Sequence, residues 1–176
     1  MQGRFLDRQT RRRMQRRRDI TSVVVSISVT LLLAAIILAN IFTFGVQIVR
    51  YNGQGMEPSL ESGQTLVFRK TQNVKTGDII AFYYNNQILV RRVICEGGNQ
   101  IELKNDGTVV INGEELQEDY LTEKSMGQCN TPFPLYVQIG YVFVMGDNRI
   151  LAMDSRLEEI GPVSSDRIIG KLILDF

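Results

Sequence analysis

Any chemistry in this chain has to be done without histidine, because its 176 residues contain none. That removes the usual general base and the commonest metal ligand. Ser-His-Asp and Cys-His arrangements are excluded outright. Two cysteines, Cys95 and Cys129, cannot by themselves complete a four-ligand zinc site. Neither a metal nor a cofactor is expected, and no glycine-rich phosphate loop points to nucleotide chemistry. The remaining nucleophiles of interest are hydroxyls. Ser59 closes the stretch Gly53-Gln54-Gly55-Met56-Glu57-Pro58-Ser59, and Ser155 lies in Asp154-Ser155-Arg156, shortly after Gly146-Asp147-Asn148-Arg149. A serine needs an adjacent base to become a nucleophile. The pair Arg91-Arg92 supplies none, because a guanidinium stays protonated and has no acceptor lone pair.

These residues follow an apolar segment. Ile20 to Phe42 is 23 residues without a charge, close to the ~20 that cross a bilayer as a helix. Its hydroxyls can bond back to helix carbonyls. A cleavable signal peptide, the competing reading, has a shorter apolar core of about 7–15 residues and a small-x-small site. Asn40-Ile41-Phe42-Thr43-Phe44 is a poor site of that kind. The net charge of +1 conceals an asymmetry: residues 1–19 carry eight Arg against Asp7 and Asp19, and the rest of the chain is net acidic. An Arg cluster directly before a span puts the N-terminus in the cytoplasm and the C-terminal domain outside. That topology accounts for the cluster better than nucleic acid does, and no nucleic-acid partner is expected. The expected organisation is a cytoplasmic Arg-rich tail at 1–19, a transmembrane helix at 20–44 and an extracellular domain at 45–176. Phe42, Phe44 and Tyr51 are placed near the outer interface, where aromatics gather.

The outer domain reads as mainly β. Thr65–Arg69, Asp78–Tyr84, Ile88–Cys95, Gln100–Lys104 and Thr108–Asn112 are rich in β-branched and aromatic residues, and Gly140–Met145 and Ile168–Phe176 read as closing strands. Asn85-Asn86, Asn105-Asp106-Gly107 and Asn112-Gly113 are turn signals. Glu114 to Pro134 is irregular. The expected class is an antiparallel, partly closed β structure. Cys95 and Cys129, outside the cell, either form a disulfide or stay as two small apolar residues.

Three stretches fall in a suggestive order: Gly53-x-Gly55-Met56-x-Pro58-Ser59-Leu60, then Leu89-Val90-Arg91-Arg92-Val93-Ile94, then Gly146-Asp147-Asn148-Arg149 through Ala152 to Asp154-Ser155-Arg156. Together they resemble the boxes of the type I signal peptidases, membrane-anchored serine proteases that remove signal peptides. The resemblance implies that family's β fold, with an extended peptide groove facing the membrane. It also implies a Ser-Lys dyad, in which a neutral lysine takes the serine proton. This chain departs from the pattern at the reacting groups. Gly55 stands at the nucleophile position, Arg91 at the base, and Ala152 where the family commonly has a serine that orients the lysine. Gly53, Gln54, Met56, Pro58, Ser59 and Arg92 then resemble groove and scaffold positions. Asp154 and Arg156 resemble a supporting ion pair, Asp147, Asn148 and Arg149 a turn behind the site, and Ser155 a structural hydroxyl. A buried cation at position 91 needs a partner, and Asp154 or Glu57 is expected to supply it. The whole resembles the catalytically degenerate homologues that assist sortase-assembled pili of Gram-positive bacteria. The partners so implied are the cell membrane with a secreted protein, a pilin or a sortase. The alternative is an active peptidase with a non-standard residue, Ser59 being the candidate.

Overall fold

A computed structural model of the chain describes residues 3–40 and 45–176, with side chains from residue 21 onward. Phe42 and Phe44 lie outside the described residues. The chain divides into two compact units, Met1–Phe44 and Gly45–Phe176. The described residues of the first form one helix, α1, Gly3–Asn40. No break separates the Arg-rich segment from the apolar one. Within α1, Thr21–Asn40 has 20 residues of mean hydropathy 2.7, and at 1.5 Å per residue it spans about 30 Å, the thickness of a bilayer core. Polar side chains here satisfy themselves one turn back: Ser28 Oγ donates to Val24 O at 2.9 Å, Thr30 Oγ1 to Ser26 O at 2.9 Å and Asn40 Nδ2 to Ile36 O at 2.8 Å. An apolar medium demands such internal bonding.

The second unit is built from short antiparallel strands. In chain order they are β1 Val46–Arg50, β2 Thr65–Arg69, β3 Ile79–Tyr84, β4 Gln87–Glu96, β5 Gln100–Leu103 and β6 Val109–Ile111. Then come β7 Glu114–Glu115, β8 Leu135–Tyr136, β9 Tyr141–Met145, β10 Val163–Ser164 and β11 Ile168–Asp175. One sheet has seven strands in the order β1-β2-β11-β3-β4-β9-β10, and another has four in the order β7-β6-β5-β8. The expected partial closure does not occur. Closure requires the two outer strands to pair, yet β1 bonds only to β2 and the two-residue β10 only to β9. The last strand lies inside the sheet, between β2 and β3.

Turn chemistry sets the registers. Tyr84 faces Gln87 across Asn85-Asn86, and both asparagines adopt positive φ, at 45° and 59°. Asparagine tolerates that region better than most residues, and a two-residue turn of this kind matches strand twist. Alternation along β3 then divides the core. Ile80 and Phe82 pack with Val93, Val142 and Val144 on one face. Ala81 packs with Leu66, Phe68, Val90, Tyr51, Met56 and Leu60 on the other. A third cluster, Ile94, Cys95, Ile101, Phe143 and Met145, draws on strands of both sheets.

The cysteines take the unbridged alternative, and both are free thiols. Cys95 is buried in the third cluster and its Sγ faces Glu96 O at 3.5 Å, while the Cys129 Sγ faces Thr131 O at 3.7 Å. Each thiol is packed and satisfied locally as a small apolar residue.

Candidate functional site

After β1 the chain turns across the end of the sheet as the loop carrying Gly53 to Ser59. Two buried side chains pin it: Met56 is fully buried and Leu60 nearly so, both within the cluster around Tyr51. The Tyr51 hydroxyl accepts the Met56 N–H at 3.0 Å. Tyr51 is therefore a buried scaffold residue of the β unit. Its sequence proximity to the apolar segment suggested an interfacial aromatic, but the cluster buries its ring. Burial also pushes its phenol above the ordinary value, which keeps the hydroxyl neutral at physiological pH. The carbonyl of Gly55 accepts Asn148 N–H at 3.1 Å, which fastens the loop to the turn after β9.

Gly55 and Arg91 meet directly. A Cβ on Gly55 would stand 3.2 Å from Arg91 Nη2 and 3.3 Å from both Nη1 and Cζ. Near-equal distances to these three atoms place it over the face of the planar guanidinium. Gly55 is not in the left-handed region, so its backbone does not require glycine. What disfavours a side chain there is the guanidinium. Arg91 is 7% exposed, and its expected acidic partner is absent. Nε donates to Met153 O at 2.9 Å and Nη1 to Val90 O at 2.6 Å. Asp154 is taken by Arg156, and Glu57 makes no ion pair with Arg91. Backbone carbonyls, which leave no mark in a sequence, hold the cation instead. Burial lowers its proton affinity and the charge of Asp154 offsets this in part. A guanidinium remains protonated through such shifts at neutral pH. Position 91 thus holds a permanent donor.

Ser59 sits beside the second cation of the pair. Its Oγ accepts Arg92 Nη2 at 3.2 Å. Arg92 is itself held by both oxygens of Asp147, at 2.9 and 2.5 Å, and its guanidinium lies 4.0 Å from the Tyr120 ring centre. Burial pulls the Arg92 proton affinity down, but the bond and charge of Asp147 more than compensate. The neighbour of Ser59 is therefore a firmly protonated cation. Ser155 is fully buried, and its Oγ accepts Val144 N–H at 3.0 Å. It ties β9 to the following loop.

The supporting residues form one polar frame. Asp154 and Arg156, both fully buried, make a two-point pair: Nε to Oδ1 at 2.8 Å and Nη2 to Oδ2 at 2.7 Å. Oδ2 also accepts Gly146 N–H at 2.9 Å. At Gly146 a Cβ would fall 2.2 Å from the Cβ of Ala152 and 2.3 Å from Gly55 O. Only glycine permits that approach. Ala152 is buried at this contact. Arg149 pairs with buried Glu118, and the Tyr120 hydroxyl donates to the same carboxylate at 2.6 Å. Glu118 and Tyr120 were not legible as site residues, since they lie in the irregular stretch. The only available signal was that a buried Arg149 requires a carboxylate.

Gly53, Gln54, Gly55 and Arg91 line a groove of about 600 Å³, walled by Ile88, Val90, Leu151 and Met153. Pro58 faces a neighbouring hollow with Asp147, Asn148 and Arg149. β9 pairs with β4 only from Arg92 to Glu96. Among the described residues, Gln87–Val90 has β3 on one side and no strand on the other. The site is a groove beside a strand edge with no strand partner, and it holds an immobilised cation with no Asp, Glu or Lys among the described lining residues.

Sequence and structure comparisons agree on kinship. The family model described as Signal peptidase, peptidase S26, matches residues 22–176. Signal peptidase I T of Bacillus subtilis (strain 168) is 37% identical over 131 residues, which is 67% of this chain and 67% of its own length. Probable signal peptidase I-1 of Synechocystis sp. is 35% identical over 164 residues, 85% of this chain and 81% of its own. A crystal structure of a signal peptidase I from Enterococcus faecalis V583 aligns with a TM-score of 0.50 at 32% identity, covering 57% of this chain and 97% of that one. By sequence and by fold alike, the chain belongs to the signal peptidase family, peptidase S26.

Proposed function

We propose that this chain is a membrane-anchored member of the family that holds an extended segment of a secreted protein without cutting it. One observation carries the reading. The Arg91 guanidinium packs over Gly55, where catalysis would need a hydroxyl beside a neutral amine. The groove and its free strand edge support retained binding, since an extended peptide can add to such an edge through main-chain hydrogen bonds. α1 serves as the anchor, with the Arg-rich end in the cytoplasm and the β unit outside, as the positive-inside rule directs. The setting we favour is sortase-dependent pilus assembly in a Gram-positive cell, with a pilin or a sortase as the partner. Its support is the resemblance to family homologues that have lost the dyad.

A photo-reactive residue at Gln54, which is exposed on the groove wall, tests the binding. Crosslinking to a defined secreted substrate, competed by an unlabelled extended peptide, is the expected result. Absence of any crosslink in the intact membrane overturns it. Deleting the gene should reduce polymerised pilin on an immunoblot; unchanged pili would remove the pilus setting and leave the peptide-holding role. An active peptidase would instead release a signal peptide, with Ser59→Ala abolishing the release.

A further inference from the structure

Arg91 has more hydrogen-bonding capacity than the protein uses. A guanidinium carries five N–H donors. Nε and Nη1 each donate once to a backbone carbonyl, and Nη2 donates to nothing among the described residues. That leaves three N–H groups on Nη1 and Nη2, the two nitrogens that can take a carboxylate side by side. No described carboxylate forms an ion pair with Arg91. Asp154 and Asp147 are the acidic groups whose charges reach it, but their oxygens are engaged by Arg156 and Arg92.

Of the nitrogens that carry them, Nη2 reaches the surface. Among the described residues, every side-chain nitrogen or oxygen sealed from solvent has a hydrogen-bond partner. The unpartnered Nη2 is therefore not sealed, although Arg91 as a whole is more than nine-tenths buried. Arg91 and Gly55 line the same groove, and Gly55 has no side chain to screen the cation. The charge of the groove is one-sided. Its lining includes Arg50 and Arg91 and no Asp or Glu. The neighbouring hollow is lined by Glu57, Glu123 and Asp147 together with Arg149.

We propose that Arg91, exposed by Gly55, is a receptor for a carboxylate of the bound peptide. The substitutions that end proteolysis would then create an anion site in its place, and the groove would select a peptide by negative charge near position 55. This rests on the peptide-holding reading and adds the ligand chemistry to it. A desolvated cation without a counter-charge is costly, and a ligand carboxylate supplies that counter-charge with charge-assisted bonds. The carboxylate is either a free C-terminus or an Asp or Glu side chain of an extended segment.

The test uses the full chain in detergent micelles and rhodamine-labelled peptides of alternating alanine and serine, read by fluorescence anisotropy. One peptide ends in a free carboxylate, a second in an amide, and a third is an amide with one internal glutamate. At least one carboxylate peptide should bind about tenfold tighter than the neutral amide, with the advantage shrinking as salt rises. The tighter of the two identifies the source of the carboxylate. Arg91→Met should bring the peptides to within about twofold of one another. Equal binding of all three to the unaltered chain overturns the carboxylate receptor while the peptide-holding reading survives. No binding by any of them overturns both. The comparison of acid with amide on the unaltered chain stands whether or not Arg91→Met folds.

Discussion

A serine placed at position 55 puts a side chain against the guanidinium of Arg91, and the structure sets the cost. The new Cβ would lie 3.2–3.3 Å from Nη2, Nη1 and Cζ, where ordinary contact begins at 3.4 Å. The overlap is one to two tenths of an ångström. Arg91 does not give way freely, because bonds to Met153 O and Val90 O hold it. Overpacking of a tight site costs about 1–3 kcal/mol, and so small an overlap belongs at the low end, about 1 kcal/mol. Backbone strain adds nothing, since Gly55 is outside the left-handed region. Gly55→Ser should therefore lower the melting temperature of the β unit by about 3–5 °C. Arg91→Lys replaces the planar group with a slimmer one and removes most of the conflict, so the double variant should show a favourable coupling of about 1 kcal/mol. Intrinsic fluorescence is the assay, because the chain has no tryptophan and all six tyrosines lie beyond residue 50. If Gly55→Ser costs nothing, or costs the same with lysine at 91, the guanidinium is not what disfavours a side chain at position 55.

Four further outcomes follow from the structure. Asp154→Asn leaves the fully buried Arg156 without its counter-charge and should destabilise the β unit by about 3–5 kcal/mol, seen as loss of the tyrosine melting transition near ambient temperature. Tyr51→Phe leaves the buried Met56 N–H unpaired; it should cost about 1–3 kcal/mol and weaken crosslinking from Gln54. Burial pushes the Cys95 thiol from 9.0 up to about 11. The folded state thus holds the proton more tightly than the unfolded chain, so the stability is complete below pH 9 and is lost as pH rises towards about 11. Tyr51 and Tyr120, also raised by burial, act in the same direction at high pH. Urea midpoints should fall over that range and fall less in Cys95→Val. Alkylation of the folded chain should label half-buried Cys129 before Cys95.

Local signals carried the parts of the fold that are locally determined. Thr65–Arg69 is a strand to the residue, and the Asn85-Asn86 and Asn112-Gly113 turns sit between paired strands, since positive φ selects those residues wherever they occur. Val46–Arg50 went unread because it continues the apolar character of the preceding segment, and two-residue strands such as Val163–Ser164 have no pattern to read. Whether the sheet closes depends on distant edges meeting, which no window of sequence contains. The site divides in the same way. Family resemblance singled out Gly55, Arg91 and Ala152 and the Asp154–Arg156 pair, which the structure finds joined. The stacking of Arg91 on Gly55 was not legible, nor was its attachment to two carbonyls, because backbone acceptors are available to every residue.

The central claim is that this groove binds without cutting, and a single digestion tests it most directly. The purified full chain is incubated in detergent with a secretory preprotein, and the products are read by mass spectrometry over an extended time course. The account predicts an intact preprotein, crosslinked through position 54. Release of the signal peptide by the unaltered chain, abolished by Ser59→Ala, would contradict it.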